Sequence, residues 1–502
     1  MKTNILETRP RQLRLPEIID DMQVQRYLAM FSAVLLWLGL LTLITCNTAN
    51  RQFLHENDEF VATKNVDSDT LYFESARKDK GLKEAANNNC TISIVESIPQ
   101  NLTYKPDEYI HPSTYSGLKA LLELAKESVH IASYYWTLRG KDVDFYDETA
   151  DEGEDIFNTL MDLGMSKKIS IKIVQNEENN DTALLAEKAF AEVQTLNVTR
   201  LLNSGILHTK FWVIDGQHFY IGSANLDWRS LTQVKELGVL VWNCSCLAKD
   251  VEKLFDVYWY LSKPDSSIPP VWPPNYATSI NMSNPAVVSL NNTKARIYIS
   301  SSPPQFCAPG RTKDLEAITH VIEQAELFIN IAVMDYLPVR LYSDPGYWST
   351  IDDALRQAAS SSRFNITVRL LASKWNHTMH DMYAYLCSLA VLRSALRISV
   401  KLFEVPVYSE DQEKIPYSRV NHNKYMVTDK HAYIGTSNWV GDYFITTAGV
   451  AVVVDQPQYN TTRGNLRKQL EDVFMRDWHS PYSHFVNCSH CPHLEQDGHA
   501  EL

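Results

Sequence analysis

The chain carries one short pattern twice. His208-Thr209-Lys210 is followed by Asp215 and then by Gly222-Ser223-Ala224-Asn225. His422-Asn423-Lys424 is followed by Asp429 and then by Gly435-Thr436-Ser437-Asn438. Both read His-x-Lys-x4-Asp, and six residues separate Asp215 from Gly222 where five separate Asp429 from Gly435. A single copy reads as an ordinary strand edge with a basic residue facing solvent. Two copies with matching Asp and Gly/Ser/Asn surroundings point to two like halves and to function.

The spacing has physical content. Residues i and i+2 of an extended strand share a face, so each His projects together with its Lys. The turn that follows sets a hydroxyl (Ser223) and an amide (Asn225, Asn438) alongside. Pseudo-twofold packing of the two strands gives one pocket with two His, two Lys and two Asn. Two imidazoles allow one nucleophile and one general acid, while two ammoniums and two amides hold the non-bridging oxygens of a phosphodiester. Fixed cations then do what Mg²⁺ does in other phosphoryl-transfer sites, so neither metal nor cofactor is expected.

The text around the motifs repeats as well. A helix over Leu118–Lys126 leads into a strand over Val129–Tyr135, then come a helix, a strand over Ile169–Gln175 and a helix over Thr182–Thr195. Two short strands around His208–Ser223 close the first half. The second half runs as a helix over Asp314–Glu326, a strand over Leu327–Met334, a helix over Ile351–Ala359 and a strand over Ile366–Ala372. A helix around Met382–Leu396 and strands around Ser399–Val405 and His422–Thr436 complete it. Strands alternating with helical patterns predict an α/β fold of two αβα sandwich halves with pseudo-twofold symmetry. Six prolines from Pro264 to Pro285 read as an ordered connector between them.

At 502 residues the chain exceeds one small module. Lys plus Arg is 47 against 60 Asp plus Glu, a net charge of −13, which is the wrong sign for gripping long duplex DNA through a basic face. Tyr27–Cys46 is a 20-residue run without charge, long enough to cross a bilayer. Arg9, Arg11, Arg14 and Arg26 outnumber Arg51 and Lys64 on the other flank and put the N-terminus in the cytosol. An uncleaved type II anchor is therefore expected, a cleaved signal peptide being the competing reading.

The layout becomes a cytosolic tail 1–26, an anchor 27–46, a luminal stem 47–105, a first half 106–263, a connector 264–300, a second half 301–486 and a tail 487–502. Eleven Asn-x-Ser/Thr sequons (Asn89, Asn101, Asn180, Asn197, Asn243, Asn281, Asn291, Asn365, Asn376, Asn460 and Asn487) agree with a luminal location. So do seven cysteines beyond the anchor, which predict disulfides with one thiol left over.

The motifs, with the flanking HTKFWVIDGQHFYIGSANLDWRSLTQVKELG and VNHNKYMVTDKHAYIGTSNW, resemble the phospholipase D superfamily. They are closer still to its type II membrane branch, which includes the vertebrate phospholipases D three and four and the spleen 5′-exonuclease. The resemblance runs from about Tyr104 to the Cys488 region. It implies that His208 attacks phosphorus to form a phosphohistidine and that His422 protonates the leaving oxygen, the opposite assignment being chemically permitted. Lys210, Lys424, Asn225 and Asn438 would hold phosphate oxygens, and Asp215 and Asp429 would brace the motif strands.

Glu236 matches the family's acid that orients a catalytic imidazole. Aligning Gly238 with Gly449 puts Thr447 opposite Glu236, so the second His is expected to lack such an acid; Asp442 is nearby in sequence. The resemblance also implies that Cys90 pairs with Cys244 or Cys246, and Cys387 with the tail. The activity it implies is a metal-independent 5′→3′ exonuclease on single-stranded DNA and RNA in the ER/Golgi and endolysosome. Phosphatidyl transfer or phospholipase chemistry on acidic lysosomal phospholipids such as bis(monoacylglycero)phosphate is the alternative, and a non-catalytic membrane scaffold a further one. Both motifs lie in one chain, so a homodimer is allowed and not required, as is proteolytic release of the luminal part.

Weaker signals carry bland readings. Eight acids lie between Asp142 and Asp155, without the ligand spacing of a calcium loop, and read as a solvated surface. Trp228, Arg229 and Trp439 follow the motifs and could stack on a base or a ribose, with core packing the competing reading for both Trp. The tail Cys488-Ser489-His490-Cys491-Pro492-His493 has zinc-like residue types but reads as a disulfide, to an upstream cysteine or between Cys488 and Cys491. The ending His499-Ala500-Glu501-Leu502 differs at one position from an ER retrieval signal and reads as chance.

Overall fold

The structure, a computed structural model, describes residues 89–489 except 144, 146 and 457–463. The expected cytosolic tail, anchor and most of the stem lie outside the described residues, as do Asn460 and the chain from His490 onward. Among the described residues no helix is long and apolar enough to cross a membrane.

The fold is mixed α/β, on two sheets with the same strand order. In the first, Glu192–Thr195, Ser170–Gln175 and Ser128–Ser133 run parallel. Phe211–Ile214, His218–Gly222, Glu236–Trp242 and Asn89–Ser97 continue it with antiparallel pairings. In the second, Ile398–Glu404, Thr367–Lys374 and Phe328–Val333 are the parallel strands. Lys424–Thr428, His431–Gly435, Gly449–Asp455, Thr293–Ser302 and Ala286–Leu290 follow antiparallel. The sheets meet where Asn89–Ser97 runs parallel to Ala286–Leu290, with Cys90 opposite Leu290.

Burial explains the strand sequences. Phe211–Ile214 (Phe-Trp-Val-Ile) and Lys424–Thr428 are buried along their whole length, as strands covered on both faces must be. Helices Ser245–Leu261 and Leu466–His479 pack in the core that the two sheets share. The first of them buries Leu247, Val251, Leu254, Tyr258 and Leu261, a stripe at helical spacing. That core holds Phe211, Ile221 and Val239 of one sheet together with Val427, Ile434 and Val452 of the other, around Phe255 and Phe474. Each sheet covers its remaining face with its own helices. Leu118, Leu121, Ile156 and Leu160 do so in the first, and Ile318, Leu355 and Leu386 in the second.

Three boundaries differ from the sequence expectation. Strand Asn89–Ser97 occupies the stretch read as stem, and Ala286–Leu290 with most of Thr293–Ser302 occupies the stretch read as connector. The two latter strands form a hairpin whose turn residues, Asn291 and Asn292, both have positive φ (49° and 62°). Asn is one of the few residues to tolerate that conformation, and the polar turn hides the strands beside it. The helix expected over Thr182–Thr195 ends at Glu187, and Glu192–Thr195 is instead the edge strand of its sheet. Four residues are too few to show a period of two.

Disulfides join Cys90 to Cys244 and Cys387 to Cys488. Closing loops of 154 and 101 residues stabilises by about 5 kcal/mol each on the chain-entropy account. Cys246 is half-buried against the shared core. Asn101, Asn180, Asn197, Asn243, Asn365, Asn376 and Asn487 are exposed, and Asn281 is half-buried. Asn291 is half-buried, and its carboxamide accepts from the Ile92 N–H at 3.0 Å and donates to the Ile92 carbonyl at 2.7 Å. The acidic run is spent on local structure. Asp151, Glu152 and Glu154 sit in the first turn of helix Asp151–Ser166, where the helix dipole favours them, and Asp155 pairs with Lys119.

Arg311 locks the shared helix to the second sheet. Its guanidinium makes a two-pronged contact with Asp250 (2.6 and 3.0 Å) and donates to the Ile299 carbonyl, all of it buried. Removing one partner of such a pair strands the other charge. Arg311→Ala is expected to cost about 3–5 kcal/mol in urea unfolding, and Arg311→Met combined with Asp250→Leu to recover most of it.

Candidate active site

Reciprocal backbone bonds between the sheets bring the two motifs together. The His208 N–H donates to the Ala448 carbonyl (2.9 Å), and the Ala448 N–H to Ile206 (2.9 Å). The His422 N–H donates to the Lys235 carbonyl (2.8 Å), and the Lys235 N–H to Val420 (2.9 Å). Each motif strand thus enters its own sheet after pairing with the lead-in to a strand of the other. Behind the second ladder lies a closed ionic cluster. Lys235 Nζ meets Asp477 at 2.9 Å, Arg476 forks onto Glu96 at 2.6 and 2.8 Å, and Tyr104 donates to Asp477 at 2.7 Å. Burial pushes the Glu96 and Asp477 carboxyls up, but Arg476 and Lys235 override it and hold both below the ordinary range.

Glycine shapes the turn after the first motif. Gly222 lies opposite Gly238, and a Cβ on Gly222 would stand 2.2 Å from the Tyr220 hydroxyl. The strand pair can therefore close only without side chains there.

His208 is buried, and its Nδ1 lies 3.0 Å from the Thr436 carbonyl. A carbonyl only accepts, so Nδ1 carries the hydrogen and Nε2 is left for chemistry. His422 Nδ1 lies 2.9 Å from both oxygens of Glu236, which likewise leaves Nε2 available. Lys210 donates to the His208 carbonyl (2.6 Å) and Lys424 to the His422 carbonyl (2.8 Å). Each ammonium is thereby fixed beside its own imidazole.

The electrostatics of the two histidines are unequal. Burial, then Lys210, Lys424 and His422, hold His208 well below its ordinary pKa. Burial also lowers His422, with Lys424 and Lys210 adding to it, but Glu236 opposes them. Burial and Lys424 push the Lys210 ammonium well below its usual range. Burial brings Lys424 down to about 8 against the pull of Glu236 and Asp335. An arriving anion would offset the mutual repulsion of these cations.

Glu236 is the largest departure from the sequence reading. The second His was expected to lack an orienting acid, yet Glu236 crosses to His422, and it is His208 that has a carbonyl instead. The cause is the ladder above: Lys235–Glu236 pairs with Asn421–His422 of the other sheet. Asp442, the nearest acid in sequence, accepts the N–H groups of Leu341, Tyr342 and Ser343 and braces that loop. Ser223, expected at the phosphate, donates to Glu236 at 2.5 Å and accepts the Leu237 N–H at 3.0 Å. It holds the acid.

Asp215 and Asp429, the acids that end the two motifs, spend their carboxylates on backbone amides. Asp215 accepts the N–H groups of Lys126, Glu127 and Ser128 at 2.8–2.9 Å. Asp429 accepts those of Glu326 and Leu327 at 3.0 and 3.1 Å. Each pins the start of the strand beside its motif, which is the bracing role.

Asn225 and Asn438 are buried, and among the described residues the carboxamide oxygen of each has no partner. Asn438 donates to Asp335 at 2.7 Å, and burial raises that carboxyl to about 6. Trp228 and Trp439 are core residues, at 0% and 2% exposure, and Arg229 is tied to Asp227. Among the described residues no group of three or more His, Cys, Asp or Glu side chains could hold a metal ion.

Sequence reasoning missed three neighbours. Tyr134 lies 5.2 Å from His208 between ring centres and under Lys210 Nζ at 5.3 Å; Tyr443 meets His208 edge-on at 5.0 Å. Asp335 is the third. It stands two residues past strand Phe328–Val333, as Tyr135 does past Ser128–Ser133, so aligning the halves outside the motifs would have exposed it.

The comparisons with known proteins place the chain in a family. The family model described as PLD3/4, PLD-like domain matches residues 107–408, up to the loop before the second motif. A 5'-3' exonuclease PLD3 of Xenopus laevis is 44% identical over 453 residues, 88% of this chain and 88% of the relative. The Homo sapiens 5'-3' exonuclease PLD3 is 46% identical over 407 residues (80% of this chain, 81% of the relative). The Mus musculus 5'-3' exonuclease PLD4 is 41% identical over 415 residues (80% and 81%). This chain belongs to the PLD3/4 family of PLD-like domains.

Proposed function

We propose that the chain is a phosphodiesterase that acts as a 5′→3′ exonuclease on single-stranded DNA and RNA, through a phosphohistidine. The observation that carries the reading is the unequal pair of histidines, in a chain whose relatives are named 5'-3' exonucleases. His208, kept neutral by burial and cations, attacks phosphorus through Nε2. His422, backed by Glu236, gives its Nε2 proton to the leaving oxygen, then takes one from the water that cleaves the phosphorus–nitrogen bond. Lys210, Lys424, Asn225 and Asn438 hold the non-bridging oxygens, and the unpartnered carboxamide oxygens and strained ammoniums support that placement.

The halves are related by an approximate twofold axis through this pocket, which the matching strand orders and reciprocal ladders support. A type II anchor with a luminal, endolysosomal catalytic part fits the disulfides and exposed sequons.

The direct test follows full-length protein in detergent at pH 5 with EDTA, on a 5′-hydroxyl single-stranded oligonucleotide labelled at its 3′ end. Stepwise shortening that disappears in His208→Ala is the expected result. Absence of cleavage, with turnover of phosphatidylglycerol by the wild type, would replace the nuclease reading with lipid chemistry.

The pH dependence has a definite sign. His422 must hold a proton and its pKa lies below 6.5, so kcat/KM falls as pH rises through that lowered value. His208 must be neutral and its pKa is lower still, so activity is lost only at more acid pH. The expected profile is a bell with an acidic optimum, and a flat profile from about pH 4 to 9 would sink the acid–base assignment. Glu236→Gln removes the carboxylate that raises His422. It is expected to move the alkaline limb further to the acid side and to lower kcat by about 10²-fold.

A further inference from the structure

A cavity of about 580 Å³ opens beside the second motif, outside the pocket described above. Its walls come from the ends of two parallel strands, the loop before His422 and the segment after helix Leu466–His479, and include Trp375, His377, Tyr417, Tyr482, Lys374 and Arg419. His377 stacks on Tyr417, with ring centres 4.9 Å apart and planes 22° from parallel, and Trp375 meets His377 edge-on at 4.7 Å. Tyr417 is 63% exposed and sits at φ +55°, a left-handed conformation that a non-glycine residue rarely adopts.

Arg419 supplies a buried positive charge. Its guanidinium donates to the Pro406 carbonyl, the Gln100 carbonyl and Gln233 Oε1, so every acceptor it meets is neutral. Lys374 is paired with Glu404 at the rim, and Glu413 also lines the cavity, while Arg419 has no carboxylate partner among the described residues. The same loop is fixed to the active-site turn, since Arg229 donates to the Pro416 carbonyl at 2.7 Å. A chain advances by at most about 3.6 Å per residue, so Arg419 lies within about 11 Å of His422 and Tyr417 within about 18 Å.

We propose that this cavity is a nucleotide subsite, in which a base of the substrate strand stacks on the Tyr417–His377 face and its phosphate faces Arg419. This deepens the nuclease reading and rests on it. Stacking on an aromatic face tolerates any base, which suits an enzyme that must advance along an arbitrary sequence. The subsite holds the strand that continues away from the scissile phosphate.

The test compares two substrates on full-length protein: a 20-nucleotide single strand, and bis(p-nitrophenyl) phosphate, which fills only the catalytic pocket. The ratio of kcat/KM values, strand over small ester, is expected to fall about tenfold in Tyr417→Ala and to return in Tyr417→Trp. The drop is to be carried by KM. His377→Ala should lower the same ratio. Because Asn376 is a sequon on the rim, the same drop is required with glycans present and after their enzymatic removal.

A wild type that cleaves only the small ester overturns the nuclease reading and the subsite with it. A wild type that cleaves both, with a ratio unmoved by Tyr417→Ala, overturns the subsite alone. A loss confined to phosphatidylglycerol turnover would assign the cavity to a lipid instead and overturn it as well.

Discussion

Four backbone hydrogen bonds between the sheets decide whether this molecule has a catalytic site at all. His208 with Ala448 and Ile206, and His422 with Lys235 and Val420, exchange amides across what would otherwise be two separate clefts. Side chains alone would not hold the imidazoles in register, because each His stands at the mouth of its strand, where the ladder of its own sheet has yet to begin. Buried amides left unpaired there would cost about 1–3 kcal/mol each, so the two sheets are held to one alignment. The cluster of Glu96, Arg476, Asp477 and Lys235 reinforces this from behind. Such a buried network adds little net stability, but it makes any other alignment expensive, because a shift would strand a charge.

The same ladder breaks the equivalence of the two motifs. Lys235 brings Glu236 with it, and Ser223 turns Glu236 toward His422. The corresponding lead-in, Thr447–Ala448, brings no acid, and His208 is steadied by a carbonyl instead. In the mechanism we propose, this difference equips one motif to give up a proton and the other to stay without one. Two copies of one motif acquire different surroundings from their partners and not from the letters they share.

That difference marks where sequence reasoning ended. The motifs, their strands and the order of elements were legible because hydrophobic runs, spacing and repetition are local properties of the chain. The strands Phe328–Val333 and Ser128–Ser133 fall within a residue or two of where the pattern put them. Glu236 was legible as an orienting acid, but not which His it serves, because that depends on a contact between residues 186 positions apart. The bond from the Ser223 hydroxyl to Glu236 was out of reach for the same reason, since the sequence does not show which way the acid turns. The hairpin at Asn291-Asn292 was hidden by its polar turn, and the sequon at Asn291 carries no sign that its carboxamide bonds to Ile92, 199 positions away.

The shared core has a consequence for how this gene can fail. Phe211, Ile221 and Val239 rest on the same helices as Val427, Ile434 and Val452, so neither half has a complete interior of its own. A polypeptide cut short after the first half would present that whole apolar face to water. The two halves should therefore unfold together, and neither should be obtained alone as a soluble fragment.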